Sequence, residues 1–171
     1  EKSGHAGNTI VVFTSDHGDN DSSHRLEHKS VFYEESTRVP FIISTPDSVE
    51  GGVDLQNPVS NGLDIFPTLC DYAGITPPSD LKGVSLRSLV SGKSTDVERK
   101  IIPVEGELGK MAVSSKFKYA LYDRGKNRQQ LYDLERDPWE SRNCANEPGL
   151  RKALWEYEKF IAVNFPEKPI F

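Results

Sequence analysis

The stretch Thr9-Ile10-Val11-Val12-Phe13-Thr14-Ser15-Asp16-His17-Gly18-Asp19 runs from β-branched and aromatic residues straight into a cluster of acidic and imidazole side chains. The apolar half lacks polar alternation, which predicts a strand buried on both faces, as in a parallel sheet flanked by helices. Sheets of that kind bind ligands beyond the carboxyl ends of their strands, where loops converge and helix N-termini supply positive potential. Asp16, His17 and Asp19 stand at such an end. A carboxylate and a neutral imidazole side by side can both reach one divalent cation, and Gly18 lets the chain turn sharply behind them. An Asp-His-Gly triplet also fits a blander role, with Asp16 capping a helix and His17 on the surface. The polar segment Asn20 to Lys29 adds His24 and Lys29, an imidazole and an ammonium. Such groups suit phosphoryl or sulfuryl transfer, where a cation steadies charged equatorial oxygens and a histidine donates to an ester oxygen. Taken singly, each also fits a solvated loop.

Upstream, Glu1-Lys2-Ser3-Gly4-His5-Ala6-Gly7-Asn8 reads as the polar end of a helix and a Gly-rich turn. With Glu1 in first place, the chain is expected to be a C-terminal piece of something longer. Downstream, Val31 to Glu35 reads as one or two helical turns, and Val39-Pro40-Phe41-Ile42-Ile43-Ser44 as a second buried strand with Pro40 near its start. Val53 to Val59 is a weaker strand candidate. Leu63, Phe66, Leu69 and Tyr72 recur at helical spacing, with Pro67 expected to start or kink that helix and Gly74 to cap it. Val84 to Val90 reads as a short amphipathic helix closed by Gly92. Beyond the polar link 93–100 the pattern changes to short strands at Ile101–Glu105, Met111–Ser114, Phe117–Tyr122 and Gln130–Leu134, an antiparallel meander, followed by a closing helix over Leu150–Val163. The expected architecture is α/β: a partial, mostly parallel sheet flanked by helices over 1–94, then a small antiparallel α+β subdomain over 95–171.

Composition narrows the function classes. The 171 residues carry a formal net charge of −5 and are 36% hydrophobic, enough for a sizeable core. No basic stripe offers itself to a phosphate backbone, so nucleic acid is not an expected partner. No run approaches the roughly 18 to 20 apolar residues of a membrane span. Two cysteines, Cys70 and Cys144, exclude a disulfide framework and a four-cysteine zinc site.

Several blocks, in order, resemble the type I sulfatases of the alkaline-phosphatase-like superfamily. They are Thr14 to Asp19, His24-Arg25-Leu26, Lys29, Phe32-Tyr33-Glu34-Glu35-Ser36 and Arg38 to Ile43, then Asp64-Ile65-Phe66-Pro67-Thr68-Leu69, Ala73-Gly74-Ile75 and Gly83-Val84-Ser85-Leu86. The likeness continues through Lys118-Tyr119, Leu131-Tyr132-Asp133-Leu134, Asp137-Pro138, Glu140 and Asn143. The resemblance implies that Asp16 is a metal ligand, that His17 stands where members carry Asn or His, that Lys29 contacts the sulfate group and that His24 lies near the substrate. Lys29 and His24 are thus the expected catalytic residues, and Asp16 and His17 the expected metal ligands. The implied cation is Ca²⁺, with Mn²⁺ or Zn²⁺ open because of the imidazole.

Members of the family make a formylglycine nucleophile from a Cys/Ser-x-Pro-x-Arg motif. Neither Cys70 nor Cys144 is followed by Pro and Arg at that spacing, so the nucleophile is expected upstream, with further metal aspartates. The expected partners are a sulfated small molecule or glycan and the N-terminal half of the same protein. The chain by itself is expected to be inactive. Two other readings stay open: a phosphodiesterase or phosphonate monoester hydrolase of the same superfamily, and a non-catalytic scaffold domain.

Overall fold

In a computed structural model, which describes residues 4–49 and 51–166, the chain divides into two compact units. One holds the residues up to Gly18 together with Arg38–Lys100; the other holds Asp19–Thr37 and the residues from Ile101 on. Glu1, Lys2 and Ser3, read above as part of a helix end, lie outside the described residues. No helix among the described residues is long and apolar enough to cross a membrane.

In the first unit β1 (Val11–Thr14) and β2 (Phe41–Ser44) form a two-stranded sheet. They pair antiparallel, Val11 opposite Ser44 and Thr14 opposite Phe41, which corrects the parallel pairing expected of them. Apolar runs of this kind record burial and not strand direction. Their burial also alternates, and Val11, Phe13 and Ile42 remain 57, 61 and 58% exposed. The expected strand over 53–59 is absent; those residues have no regular structure.

Helix α2 (Asn61–Ala73) follows, continuous through Pro67 and ended by Gly74 at φ 67°. Proline has no N–H to offer the carbonyl four residues back, that of Leu63. Gly83 is packed against that freed oxygen: a Cβ at position 83 would lie 1.8 Å from Leu63 O. Gly83→Ala should therefore destabilise the complete protein by at least ~1–3 kcal/mol, since backbone must shift to admit the methyl group; chemical denaturation would measure it. At the start of α2 the buried Asp64 accepts from the Ser60 and Val84 N–H groups and pairs with both terminal nitrogens of Arg99, at 2.7 and 2.6 Å. The Asp64 block is therefore a structural element, holding α2 to the 82–99 segment. Short α3 (Arg87–Val90) is a single turn, shorter than the pattern 84–90 implied.

The second unit is built on the expected meander. Strands β3 (Ile102–Gly106), β4 (Gly109–Val113), β5 (Phe117–Tyr122) and β6 (Gln129–Asp133) pair antiparallel in sequence order. Alternation sends Ala112, Tyr119 and Leu131 to one face, where Tyr157 and Ile161 of α4 (Arg151–Asn164) complete a core. The opposite face carries Met111 and Ala120, and Phe32 packs on them. Ahead of β5 in sequence, the single turn α1 (Glu34–Thr37) belongs to this unit, not to the sheet of β1 and β2. The α/β class is thus as expected, with antiparallel pairing in both sheets.

Candidate functional site

The end of β1 is tied down locally. Asn61, at the start of α2, donates its side-chain amide to the Ser15 carbonyl, and Ser15 Oγ donates to the His17 carbonyl at 2.7 Å. Beyond this anchor Asp16 and His17 face each other, with His17 Nε2 3.3 Å from Asp16 Oδ2. His17 Nδ1 lies 2.7 Å from the Gly18 carbonyl. A carbonyl only accepts, so in the neutral ring Nδ1 carries the proton and Nε2 keeps the lone pair. An imidazole nitrogen and a carboxylate oxygen at this separation match two neighbouring donors on one divalent cation. The Asp16 side chain is 82% exposed, so coordination need not break a buried structure. Among the described residues no group of three or more His, Cys, Asp and Glu side chains is gathered for a metal. The pair fits part of a coordination shell.

His24 and Lys29 belong to the other unit, in the loop after Gly18. This loop is strained: Asp21, Ser22, His24, Arg25 and His28 all have φ between 43° and 73°. Left-handed backbone costs an L-residue about 1–2 kcal/mol. The loop is closed by the Asn20 N–H and side-chain amide, both donating to the His28 carbonyl, and by Ser22 N–H donating to Leu26 O. Asn20 is buried, and its Oδ1 has no hydrogen-bond partner. The His24 ring lies parallel to that of Tyr33, 3.7 Å away at 6°, with Nε2 3.6 Å from Glu35 Oε2. Burial opposes ionisation of Asp137, but hydrogen bonds from Arg142 and Ser141 hold its carboxyl below the usual range. Lys29 is exposed, three residues before the buried Phe32.

Sequence reasoning missed a buried charge cluster in the second unit. Lys118 Nζ, with no solvent exposure, lies 2.6 Å from Glu34 Oε1 and 2.9 Å from Glu140 Oε1. Glu140 Oε2 accepts the Glu34 N–H at 2.7 Å. Burial pushes the Glu140 carboxyl up despite Lys118. It likewise raises Tyr122 to about 12 and raises Tyr132 further. For Glu140 the neutral form is the one favoured by folding. Its stabilising contribution is present below the ordinary value of 4.5 and is lost as pH rises through the raised one.

The cysteines have no role here. Cys70 is buried on α2 and Cys144 is buried with its thiol donating to the Arg142 carbonyl; both are free. Burial pushes the Cys144 thiol up, away from reactivity. Asn143, beside it, bonds the N–H of Leu131 and Ala145 and the carbonyl of Gln129, fastening the 137–145 segment to β6.

Comparison with known proteins extends these observations. A family model described as N-sulphoglucosamine sulphohydrolase, C-terminal, matches residues 22–105. The Delta 4,5-hexuronate-2-O-sulfatase of Bacteroides thetaiotaomicron is 36% identical over 168 residues, covering 90% of this chain and 34% of that protein. A solved 2-O GAG sulfatase superposes with a TM-score of 0.82 at 34% identity, covering 92% of this chain and 36% of that one. The phosphonate monoester hydrolase of Agrobacterium radiobacter superposes with a TM-score of 0.75 at 26% identity, covering 95% and 36%. The chain thus spans about a third of the length of the relatives it matches.

Proposed function

This chain is a C-terminal sulfatase sequence, and we propose that the protein it belongs to hydrolyses a sulfate ester, with Asp16 and His17 as metal ligands. The juxtaposed His17 Nε2 and Asp16 Oδ2 carry this reading. The family implies a divalent cation and a formylglycine. When bound, they supply charge neutralisation at the sulfate oxygens and the attacking hydroxyl. The residues of this chain bind and orient around that chemistry. Asp16 contributes a hard oxygen and His17 a nitrogen whose direction is set by the Gly18 carbonyl. Lys29 offers N–H donors and positive charge to the equatorial oxygens of the sulfate. His24, stacked on Tyr33, donates a proton toward the ester oxygen as the leaving group departs. Ca²⁺ is the cation we favour, since the remaining ligands expected of the family are carboxylates, which suit a hard ion. The substrate class we favour is a sulfated glycan, after the hexuronate 2-O-sulfatase relative.

A second reading has its own support. Similarity to a phosphonate monoester hydrolase keeps phosphoryl and phosphonyl esters in view, because fold-level likeness does not choose between these chemistries.

Calorimetric titration of the complete protein with calcium, manganese and zinc tests the ligand assignment. The parent should bind one ion, and Asp16→Ala should weaken that binding at least about tenfold, as expected for loss of a charged ligand. Binding indifferent to Asp16→Ala would contradict the assignment. No binding at all would favour the scaffold reading.

A further inference from the structure

The second unit buries a lysine in the middle of a sheet strand, and its neighbours explain what it holds. Along β5, Lys118, Ala120 and Tyr122 share one face, and that face carries the 31–37 segment. Phe32 packs on Ala120 and Met111, and its N–H donates to Tyr122 Oη at 3.1 Å. Lys118 Nζ reaches Glu34 Oε1 at 2.6 Å and donates to Thr37 Oγ1 at 3.3 Å, so it touches the first and last residues of α1. A single helical turn has no stability of its own. This one is fixed at both ends from the sheet.

What the turn presents is the seat of His24. Tyr33, immediately before α1, stacks on the imidazole, and Glu35, within α1, faces its Nε2. The Tyr33 carbonyl accepts from Ser36 Oγ and Thr37 Oγ1, both at 3.0 Å, which couples Tyr33 to the turn's far end. The His24 backbone itself is left-handed, at φ 52° and ψ 18°, and Ser22 and Arg25 are left-handed beside it. Strained conformations persist only where the surroundings over-determine them. For His24, those surroundings are Tyr33 and Glu35.

We propose that Lys118 is a positioning residue for His24: by clamping both ends of α1 it fixes the Tyr33 ring and Glu35 carboxylate that hold the imidazole. Its kinetic consequence rests on the reading of His24 as a residue near the substrate. The placement of the ring rests on geometry alone.

The test is NMR of the complete protein labelled at the histidine Cε1 carbons, with the His24 signal assigned by its loss in His24→Gln. Stacking displaces that signal through the Tyr33 ring current, and Tyr33→Leu gives the position of an unstacked ring. Lys118→Met should move the signal to the Tyr33→Leu position. With the aryl sulfate nitrocatechol sulfate as substrate, it should lower kcat about tenfold to a hundredfold with a smaller change in KM. Adding Lys118→Met to Tyr33→Leu should lower kcat little further, because both act through one ring. Lys118→Met/Glu140→Gln removes the buried carboxylate that Lys118→Met leaves unpaired, and gives the same results if the single variant does not fold. Glu140→Gln alone keeps the Lys118–Glu34 pair and should leave the signal in place. A His24 signal that stays at the stacked position in a folded Lys118 variant overturns the proposal. Absence of turnover in the parent would count against the sulfatase reading instead, and the NMR result would still decide the positioning.

Discussion

Lys29→Ala in the complete protein should lower turnover of an aryl sulfate by about 10²–10³-fold, the range for loss of one charged group that stabilises anionic oxygens. Its fold should not change. Lys29 is exposed in a polar loop, and surface substitutions of this kind move stability by roughly ±0.5 kcal/mol. The loop around it is organised by Asn20, whose amide closes it on the His28 carbonyl, next to Lys29. Removing the lysine's ammonium leaves that closure intact. Turnover with unchanged melting temperature is therefore the informative pair of measurements, and an unchanged kcat would remove Lys29 from the chemistry.

The second large effect is one of stability. Lys118→Met should destabilise the complete protein by about 3–5 kcal/mol, the usual cost of stranding a buried charge whose partner is removed. Two carboxylates, Glu34 and Glu140, lose their shared cation, and the Glu140 side chain has no access to water. Lys118→Met/Glu140→Gln should recover part of this, because only Glu34, whose side chain is 21% exposed, then lacks its cation. Equilibrium urea unfolding at neutral pH would measure both. Equal stability of Lys118→Met and the parent would mean that the cluster adds nothing to the fold.

These two lysines differ in what a sequence can announce. Lys29 could be singled out because a polar loop after an Asp-His strand end is a place where an ammonium has chemistry to do. Lys118 could not. In Phe117-Lys118-Tyr119-Ala120-Leu121, alternation puts the lysine on the face opposite Tyr119, which a lone meander would give to solvent. That face is covered by Phe32 and α1, some eighty residues earlier in sequence, and no local pattern announces so distant a cover. The available signal was the company Lys118 keeps: Glu34 and Glu140 stand in blocks of the same family resemblance. The meander, Gly74 at the end of α2 and helix α4 were legible because turn residues and periodicity are local. The antiparallel pairing of β1 with β2 was not, since Val11-Val12-Phe13 and Phe41-Ile42-Ile43 read the same in either direction. Pro67 does not start α2, for a related reason. A proline inside a helix is tolerable once another segment packs against the carbonyl it frees, and Gly83 does so from twenty residues away in space-filling contact with Leu63.

Asp16 and His17 were legible as a pair, and the structure adds the direction of the ring. With Nδ1 committed to the Gly18 carbonyl, Nε2 is turned to the side where Asp16 offers Oδ2. That arrangement suits a cation and does not by itself name the ester it acts on.

The most direct measurement of that ester is a comparison of kcat/KM for the complete protein, loaded with its metal, on an aryl sulfate and on the matching aryl phosphonate monoester. A ratio in favour of the sulfate, with turnover of the sulfate lost in Lys29→Ala, is the result expected here. A ratio in favour of the phosphonate would contradict the sulfatase assignment.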